Sequence, residues 1–187
     1  ADDAQIYGFC HPGSTDDLQG RLSDCVSDVA SWMRSNRLQL NVAKTEVLWC
    51  SSVCRQHQVP ITPVMVGTTA VAPVRAVRDL GIYIDSGLTM QAHVAKTVSN
   101  CFAVLRQIRS IRRSVTKPVL QSLVVSMVLT RLDYGSATLA GLPNTLLNRL
   151  QSVLHAAARL IYSARKYDHV TSLLYDLHWL RVPERIA

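Results

Sequence analysis

The sequence predicts an α+β fold: a partial antiparallel sheet with one packed helix over residues 1–89, then an all-helical bundle over 90–187. Three observations predict it. Between residues 15 and 35, Leu18, Leu22, Cys25, Val26, Val29 and Met33 recur at the spacing of an amphipathic helix. Between 47 and 84, short apolar runs are separated by Gly- and Pro-marked turns, the pattern of short strands joined tightly and therefore antiparallel. From Met90 onward the helical period returns and persists.

Each element has its own signal. Residues through Phe9 read as extended. Pro12 and Gly13 mark a turn, and Ser14 with Asp17 has the spacing of a capping box opening the first helix, whose exposed face carries the solvated Asp24 and Asp28. Asn36 ends that helix, Asn41 opens a turn, and Val47-Leu48-Trp49 reads as a buried strand. Further strands are expected at 62–66, 70–72 and 77–84, with a turn at Gly67-Thr68. Val94, Val98, Cys101, Leu105, Ile108 and Ile111 share one helix face. Thr116-Lys117-Pro118 starts the next helix, with proline in its tolerated first turn, and that helix ends near Tyr134-Gly135. Leu146, Leu150, Val153, Ala157 and Ile161 mark a third. A shorter helix begins after His169 and ends before Val182-Pro183.

Bulk composition narrows the function. With 48% hydrophobic residues in 187, the chain can bury a core, and no repeat or low-complexity segment interrupts it. The net charge of +7 is unevenly placed: residues 1–93 carry 7 basic against 9 acidic side chains, residues 94–187 carry 13 against 4. A basic second half favours an anionic partner. The five cysteines are scattered, and Cys50 and Cys54 lack a matching Cys/His pair, so neither a disulfide framework nor a zinc site is expected; a reduced, intracellular protein of nucleus or cytoplasm fits. No signal peptide opens the chain, and the apolar run 119–130 is too short to span a membrane. Ser122, Ser126 and Thr130 form a polar stripe along it, as in a buried helix, so no membrane partner is expected.

Taken together, "ADDAQIYG", the helix ending in "WMRSNRLQLNVAKTEVL", "RDLGIYID", "RLDYGSATLAGLP", "LQSVLHAAARLI" and "LHWLRVPERI" resemble the second half of a reverse transcriptase of the LINE type, the non-LTR retrotransposon enzymes. The ordered set covers nearly the whole chain. The resemblance implies a partial palm over 1–89, and over 90–187 a helical thumb with the start of the next helical region. It implies that Asp2 and Asp3 are a catalytic, Mg²⁺-binding pair, Asp2 being the direct ligand, in an enzyme that uses two such ions. Lys44 matches a proposed proton donor to pyrophosphate and reads equally as a solvated turn lysine, while Asn41 and Thr45 shape that turn through side-chain hydrogen bonds. Leu80, Gly81 and Ile82 match a primer-contacting strand-turn, where Gly81 permits close backbone approach. Trp32, Trp49 and Trp179 are expected in the core. The chain departs from the family pattern: the aromatic residue before Ala1, an upstream catalytic aspartate, the fingers, the nucleotide-binding segment and an endonuclease domain are absent from the sequence. Asp16 and Asp17 do not replace the missing aspartate, because both belong to a helix N-terminus. Both ends therefore read as cuts.

The basic half supplies the nucleic-acid candidates. Arg106, Arg109 and Arg113, three and four apart, share a helix face opposite the apolar one, and Arg112 and Lys117 extend the patch. Such a face suits a phosphate backbone. The expected parent function is RNA-directed DNA polymerisation, with an RNA template, a DNA primer and deoxynucleotides as partners, and with the chain inactive alone. The alternative is a non-enzymatic helical module that binds nucleic acid or protein.

Overall fold

A computed structural model describes residues 4–186. They form a mixed α+β protein: short two-stranded sheets, then a helical region. The chain divides into two compact units, Ala1–Leu88 and Thr89–Ala187.

In the first unit, α1 spans Thr15–Ser35. The expected capping box does not form. Pro12–Ser14 is already a 3₁₀ turn that runs into the helix, and the Ser14 side chain makes no cap bond. Asp16 and Asp17 still occupy the first turn, where the helix dipole favours negative charge. Asn36 closes the helix as expected, its Nδ2 donating to the Trp32 carbonyl at 2.9 Å. Asp24 and Asp28 are exposed, as expected, but of the predicted apolar face only Leu18 is buried. Cys25 is exposed and Trp32, expected in the core, is 62% exposed.

The strands are β1 (Val47–Leu48), β2 (Val64–Val66), β3 (Thr69–Val71), β4 (Pro73–Val74), β5 (Ala76–Asp79) and β6 (Ile82–Asp85). They do not join into the single antiparallel sheet that was expected. Each pairs once: β2 with β3 and β5 with β6 antiparallel, β1 with β4 parallel. Tight turns dictate antiparallel pairing only between neighbours in sequence; β1 and β4 are separated by a long connection and are free to run parallel. The run 77–84, read as one strand, folds back on itself at Leu80-Gly81, with Ala76 opposite Asp85 and Asp79 opposite Ile82. Val47-Leu48-Trp49 is half-buried rather than buried. Residues 4–11 belong to no strand, and Tyr7 and Phe9 are almost fully exposed. Helix α1 packs on β2, where Leu18, Val64 and Val66 are buried. The Gln19 side chain ties the two together, donating to the Pro63 carbonyl at 2.8 Å and accepting from Thr62 Oγ1 at 3.2 Å.

The second unit is helical: α2 (Gln91–Ile111), α3 (Lys117–Val124), α4 (Thr130–Asp133), α5 (Asn144–Tyr162), α6 (Val170–Asp176) and α7 (Val182–Ile186). One core runs through it. Val94, Cys101, Leu105 and Ile108 of α2 meet Leu120 and Val124 of α3 and the whole predicted face of α5. Trp179 packs against this core, as expected. The helix expected to run unbroken from residue 116 to Tyr134 is interrupted by a π turn, Val125–Leu129, between α3 and α4. Along the polar stripe, Thr130 Oγ1 donates to the Ser126 carbonyl at 2.6 Å and Ser126 Oγ to the Leu123 carbonyl at 3.3 Å. Tyr134 and Gly135 then end the segment, Gly135 in the left-handed region at φ 72°. The short helix α7 was not expected; Glu184 caps it by accepting the Arg181 N–H at 2.8 Å. Among the described residues no helix is long and apolar enough to cross a membrane.

Candidate nucleic-acid interface

The residues with assigned roles fall into separate places. Asp2 and Asp3, the expected metal pair, lie outside the described residues. Among the described residues no three His, Cys, Asp or Glu side chains gather closely enough to hold a cation together. The five cysteines are free, and the buried Cys101 thiol is pushed up to about 11, first by burial and despite the opposing Arg131 charge.

Lys44 ends a 3₁₀ turn, Val42–Lys44, and is exposed. Thr45 Oγ1 donates to the Asn41 carbonyl at 3.1 Å and so fixes that turn as expected. Asn41 takes part through its backbone oxygen; its side chain makes no cap bond.

Leu80 and Gly81 are the two tip residues of the β5–β6 hairpin, with Ile82 opening the return strand. Their φ angles are 43° and 88°. A two-residue hairpin turn of type I′ has positive φ at both positions, which glycine accepts freely and leucine does not. Leu80 is 69% exposed there. Beside the tip, Arg78 and its cross-strand partner Tyr83 stack, the guanidinium carbon 6.0 Å from the ring centre.

The basic cluster lies in the second unit. Helix α2 buries Cys101, Val104, Leu105 and Ile108, which turns Arg106 and Arg109 outward. The α-helix stops at Ile111, and a 3₁₀ turn, Arg112–Ser114, presents Arg113 exposed and Arg112 half-buried. The sequence placed Arg113 on the same helix face as Arg106; it reaches the surface from the tighter turn instead. No carboxylate among the described residues pairs with these four arginines. The acids of this unit are largely engaged elsewhere: Asp133 takes both Nε and Nη2 of Arg185, Asp168 accepts the Arg165 N–H at 2.6 Å, and Glu184 caps α7. Lys117, expected to extend the patch, sets its ammonium 3.7 Å from the centre of the Tyr162 ring. A cation over an aromatic face is attracted by the ring quadrupole, so this lysine also pins α3 to α5.

The sequence reading missed Tyr162 in that contact, and it missed a polar stripe on α5. Asn144, Asn148, Gln151 and His155 are spaced four, three and four apart, the same regularity that identified the apolar face of that helix. No family model, curated protein or solved structure matches the chain.

Proposed function

We propose that the chain is the later palm and thumb part of an RNA-directed DNA polymerase of the non-LTR retrotransposon kind, and that it binds a primer–template duplex without catalysing synthesis alone. The observation that carries the reading is the row of arginines at Arg106, Arg109, Arg112 and Arg113, unneutralised by any carboxylate among the described residues and backed by a buried apolar face. Guanidinium groups in a row, on a rigid helix and the turn that ends it, make phosphate contacts that hold a duplex without reading its sequence. The exposed hairpin tip at Leu80–Gly81 supports the same reading, since a tight turn with a glycine lets backbone approach a strand closely. In the complete enzyme, Asp2 and Asp3 would hold Mg²⁺, which supplies charge stabilisation for nucleotidyl transfer. Lys44, exposed on its turn, is the candidate proton donor.

A second reading is a non-enzymatic nucleic-acid-binding module. It is favoured by the location of the arginines on a helical unit with its own continuous core.

A filter-binding series on an RNA–DNA duplex tests the shared element. Reversing Arg106, Arg109 and Arg113 to Glu should weaken binding and reduce the slope of log affinity against log salt by about three. Unchanged affinity and slope would refute both readings. Restoration of polymerase activity when the chain is joined to a complementary fingers and upstream-palm segment separates the first from the second.

A further inference from the structure

We infer that the groove bounded by α5, α6 and the entry to α7 is a binding site for a nucleoside monophosphate, either free or as an unpaired nucleotide of a strand. The inference is independent of the polymerase reading and uses none of its residues. The cavity is about 370 Å³. Asn144, Asn148, Gln151 and His155 line it from one stripe of α5, and Thr171 and Arg181 complete its polar wall.

Three features define the ligand. The first is charge. The lining contains no acid; the Glu184 carboxylate accepts the Arg181 backbone N–H at 2.8 Å, but no carboxylate among the described residues pairs with the Arg181 guanidinium. Burial first, and then the charges of Arg159 and Arg181, hold His155 below its ordinary value. A guanidinium is a strong phosphate partner. The second is an unmet donor. Gln151 Oε1 accepts the Val182 N–H at 2.8 Å, which fixes the amide and leaves its Nε2 buried with no acceptor. Buried polar groups are normally satisfied, so a shift of this side chain toward the groove would let the donor meet an oxygen or ring nitrogen. The third is size and surface. A bare phosphate would fill little of the cavity, and the remaining wall combines carboxamides with Leu147, Leu174 and Pro183. Carboxamides match the donor–acceptor edges of bases, and the apolar side chains suit a sugar or base face.

The test is an NMR titration of the ¹⁵N-labelled full chain with AMP, UMP, inorganic phosphate and a single-stranded trinucleotide. Expected are shifts confined to residues 144–155 and 171–183, with a mononucleotide Kd of about 1 mM or tighter and inorganic phosphate roughly tenfold weaker. Arg181→Gln and Asn148→Ala, both at exposed positions, should each weaken the mononucleotide several-fold while leaving the thermal melt unchanged. Tighter binding of the trinucleotide assigns the site to a strand, and equal binding assigns it to the free nucleotide; both support the inference. Absence of shifts at about 10 mM mononucleotide, equal binding of inorganic phosphate, or shifts confined to residues 106–113 would overturn it.

Discussion

Leu80 holds a left-handed backbone at φ 43° in a position where asparagine or glycine is the ordinary choice. An L-residue with a Cβ pays about 1–2 kcal/mol there. Leu80→Asn should therefore raise stability by about 1 kcal/mol in urea denaturation. A loss of stability would mean that packing of the leucine side chain outweighs the backbone cost. Two histidines set a pH dependence. Burial holds His93 below its ordinary 6.5, and burial followed by the charges of Arg159 and Arg181 does the same for His155. The unfolded chain then takes protons that the folded one refuses. Their contribution is intact above pH 6.5 and is lost as pH falls below it toward the folded-state values. The slope of melting temperature between pH 7 and about 5.5 should flatten in the double variant His93→Gln, His155→Gln. An identical slope would locate the sensitivity elsewhere. Neither histidine was marked by the sequence, because burial and neighbouring charge are tertiary properties; the α5 stripe that carries His155 was visible as spacing alone.

At the level of elements, α1 and α5 show what a periodic pattern can and cannot say. Both display apolar residues at helical spacing, and both are helices of nearly the expected bounds. In α5 all of Leu146, Leu150, Val153, Ala157 and Ile161 are buried, while in α1 only Leu18 is. Period identifies a face able to be covered; it does not say whether the unit supplies a cover. The consequence is measurable. Leu154→Ala, at a fully buried α5 site, should cost about 3 kcal/mol, whereas Trp32→Ser on α1 should stay within about 0.5 kcal/mol. Equal losses in a denaturant series would contradict the difference in burial. Short strands were legible as turns and apolar runs but not as partners. Pairing of β1 with β4 depends on where a long connection returns, and no local signal encodes that. Apolar patterning makes 77–84 a single strand, while the resemblance implies a strand-turn at Leu80–Ile82; the hairpin at 76–85 turns at Leu80-Gly81. The acidic pair Asp2-Asp3 lies outside the described residues, and of the candidate residues the arginines are the group whose outward placement could be anticipated from helical spacing.

On the scale of the whole molecule, the two units differ in what sustains them. Residues 89–187 share a continuous core drawn from α2 to α7 and the turns between them. Residues 4–88 have three separate two-stranded pairs, which are marginal by themselves, and a few buried side chains around Leu18, Val64 and Val66. Expressed alone, 89–187 should keep its helical circular dichroism and melt cooperatively, while 1–88 should bind a hydrophobic dye and aggregate through its unpaired strand edges. A non-cooperative melt of 89–187 would show that its core does not suffice. Lys117, the lysine nearest the arginine stretch in sequence, is held against Tyr162. Only four lysines occur in the sequence, and the surface stretch from 106 to 113 holds none of them. An acetyltransferase therefore has no handle on that stretch. Ions screen its charge and arginine methylation would block its bidentate hydrogen bonds, but the lysine chemistry by which many basic surfaces are switched off does not reach it.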